Sequence, residues 1–152
     1  MTDEVFIEYL EDQEQDSKVV VWREKYQLPE AFILILGSLD VRKNFERQLI
    51  AYNQLTEENK CALVIVGKTP LLTKKAMAVL NGKENFQRLG VRFVANVPRE
   101  EMPLMLAASK VLLNATLAEG FGLPTYEALA VGTTVVTGPL ESIAGIKSEG
   151  CF

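Results

Sequence analysis

The sequence predicts an α/β fold, a doubly wound, Rossmann-like parallel sheet of about five to six strands in a single domain. Three observations predict it. Short apolar runs bounded by polar or turn residues recur along most of the chain. The first two, residues 32–37 and 63–67, are apolar without alternation, as strands buried on both faces read, and such strands belong to parallel sheets. Segments with helical spacing lie between the runs, and strand alternating with helix is the pattern of a sheet covered by helices.

In chain order, Val5, Phe6, Tyr9 and Leu10 have helical spacing. Ser17 is then expected to cap a helix through Val20, Val21, Trp22 and Tyr26 that stops at the Leu28-Pro29 pair, because proline pushes the residue before it out of the helical region. Residues 1–27 therefore read as an acidic leader and linker helix, ahead of a domain at 28–152. Within that domain, strands at 32–37, 63–67, 91–97, 111–114 and 134–138 alternate with helices at 45–55, 71–80, 99–108 and 124–130. No internal repeat or low-complexity tract interrupts the order.

Composition narrows the function classes. With 152 residues, 48 % hydrophobic and 24 % charged, the chain is long and apolar enough to bury a core without staples. Its two cysteines, Cys61 and Cys151, have no neighbour at metal-ligand spacing. A disulfide framework is not expected, which fits a cytoplasmic location. No apolar stretch approaches the ~20 residues of a membrane span, and the acidic amino terminus has no signal-peptide core. Histidine is absent, so Ser-His-Asp catalysis and the usual zinc sites cannot be completed within these residues. Residues 1–16 hold seven of the 20 Asp and Glu residues and no Lys or Arg, leaving a mildly basic body. That balance suits an anionic small ligand and is too weak for nucleic acid.

In an open parallel sheet ligands sit at the carboxyl ends of the strands, so the loops there carry the candidate chemistry. One of them reads Glu119-Gly-Phe-Gly-Leu-Pro-Thr-Tyr-Glu127. It follows a predicted strand and enters a predicted helix, with Pro124 at the expected first helical position. Gly120 and Gly122 let the backbone approach a ligand, and the first N–H groups of the helix face it, an anion-binding geometry. Glu119 and Glu127 flank the turn and can accept hydrogen bonds from sugar hydroxyls, so the ligand expected is phosphate and polyol together, as in a nucleotide sugar. The same residues also suit a plain tight turn with surface charge.

The second loop, Gly37-Ser-Leu-Asp-Val-Arg-Lys-Asn44, places Arg42 and Lys43 at a helix start. Cations there oppose the helix dipole unless an anion joins them, which points to phosphate or, equally, to a solvated face. Gly67-Lys68-Thr69 is not a P-loop, since residues 62–66 read as strand. Gly120-x-Gly122 lacks the third glycine of a dinucleotide fingerprint, Thr125 standing in its place.

These residues resemble the glycosyltransferase family 4 donor domain, the carboxyl-terminal half of the two-domain GT-B architecture. The similarity runs from about Tyr26 to about Pro139. EGFGLPTYE looks like the family's pair of glutamates separated by seven residues, GSLDVRKN like its lysine-bearing loop, and LVIVGK and VRFVANVPREEMPLMLAASKVLL like its middle strands and base-binding edge. The resemblance implies a retaining, metal-independent transfer of sugar from a nucleotide-sugar donor to an acceptor glycan, lipid or small molecule, with no cofactor. It implies that Glu127 binds the ribose hydroxyls and Lys43 the diphosphate, while Glu119 and the backbone of Gly120, Phe121, Gly122 and Leu123 hold the donor sugar and distal phosphate. Val97 would border the base, and Gly37 and Arg42 belong to the diphosphate loop. Lys43 and the helix start at Leu123 would then stabilise charge on the leaving diphosphate, more in the transition state than in the ground state.

Several positions depart from the family pattern. Ser38 stands where many members have an arginine that grips the diphosphate, which leaves either Arg42 in that role or a weaker grip. Ala115 and Thr116 replace Pro-Ser, and Thr134 replaces a proline. The acceptor-binding domain, the final strand and the closing helices are not in the sequence, so a partner domain, in cis or in trans, is expected. The rival reading from another class is a non-catalytic nucleotide or sugar-phosphate binding module.

Overall fold

The computed structural model describes residues 3–55, 58, 61–67, 70–118 and 122–138. Five parallel strands, β1 (Phe32–Leu36), β2 (Ala62–Val66), β3 (Arg92–Val94), β4 (Val111–Asn114) and β5 (Thr134–Thr137), form one sheet in the order β3-β2-β1-β4-β5. From β1 the chain winds outward to β2 and β3, then returns to the other side of β1 for β4 and β5. The winding direction thus reverses between β1 and β4, and that reversal opens the crevice in which doubly wound sheets bind ligands. Leu34 is in register with Val64 of β2 and with Leu112 of β4.

Both faces of the sheet are covered, which is why its central strands read as unbroken apolar runs. On one face Leu34, Val64, Leu112 and Val135 pack against α1 (Glu4–Glu11), α2 (Gln15–Lys25), α6 (Met102–Ala108) and α7 (Leu123–Ala130). On the other, Leu63, Ile65 and Ile35 meet α3 (Phe45–Asn53), α4 (Pro70–Val79) and α5 (Lys83–Arg88) through Leu49, Tyr52, Ala76 and Phe86. Both amino-terminal helices join the first of these cores, through Phe6, fully buried, and Trp22, 3 % exposed. Fully burying one such aromatic contributes ~1.5–3 kcal/mol.

Three local details differ from the sequence expectation. Helix α2 begins at Gln15, with Ser17 inside it, where the Ser17 hydroxyl donates to Glu14 O at 2.9 Å, so Ser17 is not the cap. The helix is closed not by Pro29 but two residues earlier, by Gln27 in the left-handed conformation (φ 52°). There Leu28 N donates to Arg23 O and Gln27 N to Glu24 O, both at 3.0 Å, which satisfies the last carbonyls as in a Schellman motif. Strand β3 covers only 92–94, because Asn96 is left-handed (φ 57°) and Pro98 has no N–H to continue a ladder.

Candidate functional site

Gly37 N donates to Val66 O at 2.7 Å, so the loop after β1 leaves the sheet in register with β2. The Asp40 carboxylate then caps a single 3-10 turn, Val41–Lys43, by accepting from Arg42 N at 3.0 Å. Asn44 is left-handed (φ 53°), which breaks that turn from α3 and lets its side chain turn away from the helix. Its Nδ2 donates to Ala115 O at 2.9 Å, and Leu117 N donates to Arg42 O at 2.7 Å. Two bonds therefore tie the loop after β1 to the loop after β4, across the point where the sheet reverses. Gln48 Nε2 adds a bond to Lys43 O at 2.6 Å, fixing the backbone that carries the half-buried Lys43.

Arg42 and Ser38 are both engaged within this loop. Ser38 Oγ accepts from Asp40 N at 3.0 Å. The Arg42 guanidinium lies on Asp40, Nε at 3.1 and 3.0 Å from the two carboxylate oxygens and Nη2 at 2.5 Å from one of them. That contact, followed by the backbone bond from Arg42, holds the Asp40 carboxyl down at about 2. Both side chains are exposed, so the pair contributes little to stability.

The second loop is anchored from below. Asn114, buried at the carboxyl end of β4, donates from Nδ2 to the hydroxyl of Thr125, fully buried in the first turn of α7, at 3.1 Å. Gly138 brings the end of β5 against the same loop, where a Cβ would stand 3.0 Å from the Thr116 carbonyl oxygen. Helix α7 starts at Leu123, one residue before the expected position, so Pro124 is its second residue. Gly122 precedes it in the left-handed conformation (φ 63°), which favours glycine. Thr125 N–H is turned back onto Gly122 O at 2.9 Å, and Pro124 has none to give. Among the described residues, Leu123 therefore carries the amide that the start of α7 can offer an anion. Glu119, Gly120 and Phe121 lie outside the described residues.

Glu127 sits one turn into α7 with its side chain 12 % exposed, and its Oε1 accepts from Nη2 of Arg99. Arg99 opens a 3-10 turn, Arg99–Glu101, just beyond Val97, which packs half-buried against the core. The same guanidinium donates to Asp3 Oδ2, from Nη2 at 2.7 Å and from Nε at 3.1 Å, and its carbon stands 5.3 Å from the centre of the Phe6 ring. The hydrogen bond to Glu127, and after it the one to Asp3, pushes the Arg99 pKa above its ordinary value. At the other end of the turn, Glu101 receives Trp22 Nε1 and Tyr26 Oη on Oε2, both at 2.8 Å, and Lys25 Nζ on Oε1 at 2.5 Å. Burial alone would raise the Glu101 carboxyl; those three hydrogen bonds outweigh it, and its pKa falls below 4.5.

Of the residues expected at the site, the structure thus joins Gly37, Arg42 and Lys43 to the loop leading toward Gly122 and Leu123, and joins the segment after Val97 to Glu127. Asn44, Asn114 and Arg99, which do the joining, were not among the expected site residues. Asn44 had a sequence signal, an asparagine just before a helix, where left-handed backbone is tolerated. The partners of Asn114 and Arg99 lie 11 and 28 residues away, and spacing gave no sign of either pair.

The family model described as glycosyl transferases group 1 matches residues 16–150. An O-antigen chain mannosyltransferase B of Escherichia coli is 31 % identical over 130 residues, covering 83 % of this chain and 33 % of its own length. The crystal structure of WaaG, a glycosyltransferase of lipopolysaccharide biosynthesis, aligns with a TM-score of 0.65 at 26 % identity, over 83 % of this chain and 34 % of WaaG. Anabaena HepE, solved with UDP and glucose, aligns with a TM-score of 0.66 at 19 % identity, over 88 % of this chain and 36 % of its own, a likeness of fold. The chain therefore spans about a third of the length of these proteins.

Proposed function

Because the chain belongs to the glycosyl transferases group 1 family, we propose that it is the donor-binding unit of a retaining, metal-independent glycosyltransferase that works with an acceptor-binding domain in a cytoplasmic setting. The observation that carries this reading is the pair of bonds, Leu117 N to Arg42 O and Asn44 Nδ2 to Ala115 O, that ties the lysine loop to the loop after β4.

In this reading Lys43 and the Leu123 amide meet the diphosphate and Glu127 the ribose, while Val97 borders the base. Glu119, with the backbone of Gly120, Phe121 and Gly122, holds the sugar. As the bond from the anomeric carbon to the diphosphate breaks, negative charge grows on the leaving group. A lysine and a helix amino terminus fixed in advance stabilise that charge without reorganising. The similarity to an O-antigen mannosyltransferase makes a nucleotide mannose the first donor to test and a growing glycan the first acceptor. The site loops also expose Leu39, Val41, Leu117 and Leu123, an apolar rim that suits the face of a second domain.

Asp40 favours one second reading. By occupying Arg42 it leaves the diphosphate fewer cations, as in a non-catalytic nucleotide or sugar-phosphate binding module. The two readings separate on turnover of a nucleotide sugar once an acceptor-binding domain is supplied.

The test of the donor site is thermal unfolding of the purified protein with EDTA, titrated with guanosine, uridine and adenosine diphosphates. A ligand at 100 times its dissociation constant adds about 2.7 kcal/mol. For a chain of this size that raises the midpoint by roughly 5–10 °C. No shift with any of the three, from a folded protein, would sink the donor-site reading.

A further inference from the structure

The geometry points to Arg99 as a positioning residue for Glu127: it holds one oxygen of that carboxylate so that the other is presented to a ribose diol, and Asp3 holds Arg99 in turn. This inference rests on the donor-site reading and adds residues to it.

Arg99 is clamped on three sides. Asp3, at the cap of α1, takes two of its N–H groups, the face of the fully buried Phe6 lies against it, and Glu127 of α7 takes a further hydrogen bond. A planar guanidinium held this way loses most of its rotamer freedom, so the carboxylate it touches is fixed in direction as well as in place. Only Oε1 of Glu127 is used; Oε2 accepts from no described residue. A carboxylate with one oxygen pinned and one available can accept from a vicinal diol without first losing the entropy of its own side chain.

The Asp3 half of the arrangement is poorly explained as a stability device. The side chains of Arg99 and Asp3 are 43 % and 41 % exposed, and an ion pair that open to water adds little to stability. Its distinct consequence is the orientation of Glu127. Because Arg99 follows Val97 by two residues, the contact also draws the loop expected to border the base toward the carboxylate expected to meet the ribose. A lysine would reach but not lock, having no rigid fork to share between two carboxylates.

The experiment compares Arg99→Met, Arg99→Lys, Asp3→Asn and Glu127→Gln with the unsubstituted protein by calorimetric titration, using a nucleoside diphosphate and inorganic pyrophosphate. Circular dichroism establishes that each variant is folded. Glu127→Gln and Arg99→Met should each weaken nucleoside diphosphate binding about tenfold, the scale of one charge-assisted hydrogen bond, and leave pyrophosphate unchanged. Arg99→Lys should recover part of the loss, and Asp3→Asn should lose about two- to threefold, a few tenths of the same free energy.

Unchanged or tighter nucleoside diphosphate binding by Arg99→Met, with Glu127→Gln impaired, overturns the inference and leaves the donor site standing. So does a parallel loss of pyrophosphate binding, which would mark Arg99 as structural. If Arg99→Met does not fold, Asp3→Asn decides by the same comparison of ligands. Failure of the unsubstituted protein to bind any nucleoside diphosphate overturns the donor-site reading and this inference together.

Discussion

Arg99 and Glu101 stand at the two ends of a single 3-10 turn and fasten two different regions to it. Glu101 gathers Trp22, Lys25 and Tyr26, all on or just beyond α2, onto one carboxylate that is 21 % exposed. Arg99 spreads one exposed cation between Asp3 on the cap of α1 and Glu127 on α7. In the first region Lys25 is exposed, but Trp22 is 3 % exposed and Tyr26 half-buried, and an unpaired donor at Trp22 has no water to turn to. In the second Arg99 and Asp3 are reachable by water, and only Glu127, 12 % exposed, gives up a donor when the contact is lost. The same turn thus carries a fastening that holds the fold and another that aims a side chain.

Removing the centre of the buried region should have the largest effect. Trp22→Ala deletes a core aromatic and a donor to Glu101, and about 3–5 kcal/mol of unfolding free energy should disappear in urea titrations. A cost below 1 kcal/mol would show that α2 is only loosely seated and would break the contrast.

Glu101→Ala comes next, at about 2 kcal/mol, for the Trp22 and Tyr26 donors it strands. This variant also sharpens the contrast through pH. The folded pKa of Glu101 lies below 4.5, so its stabilising contribution is complete above that value and is lost as pH falls through the folded pKa. Urea midpoints of the unsubstituted protein should therefore fall more steeply below pH 4.5 than those of Glu101→Ala. Parallel curves would remove Glu101 from the account of acid sensitivity.

The smallest stability change belongs to Arg99→Met, about 1 kcal/mol at pH 7, because its pair with Asp3 is exposed and Glu127, 12 % exposed, loses a single donor. A loss as large as that of Glu101→Ala would make both ends of the turn equally structural.

The central strands were legible because burial on both faces leaves no room for polar alternation, as residues 32–36 and 62–66 show. The two loops at the carboxyl edge were legible for a local reason: Gly122 stands where the backbone goes left-handed, and Arg42 and Lys43 sit where a helix would not want them. Helix α5 escaped notice because six residues are too few to show a helical period. The start of α2 was misplaced because a serine near a helix start satisfies a carbonyl as readily as an amide, and here Ser17 donates to Glu14 O.

By itself the sequence determined the parallel α/β sheet, its family and the two loops at its carboxyl edge, because apolar runs, glycines and helix-start charges act through their immediate neighbours. Only the tertiary structure decided that those loops are tied through Asn44 and Leu117, that Asn114 seats α7, and that Arg99 faces Glu127. Hydrogen bonds and ion pairs depend on distance in space, and the fold sets that distance for residues far apart along the chain.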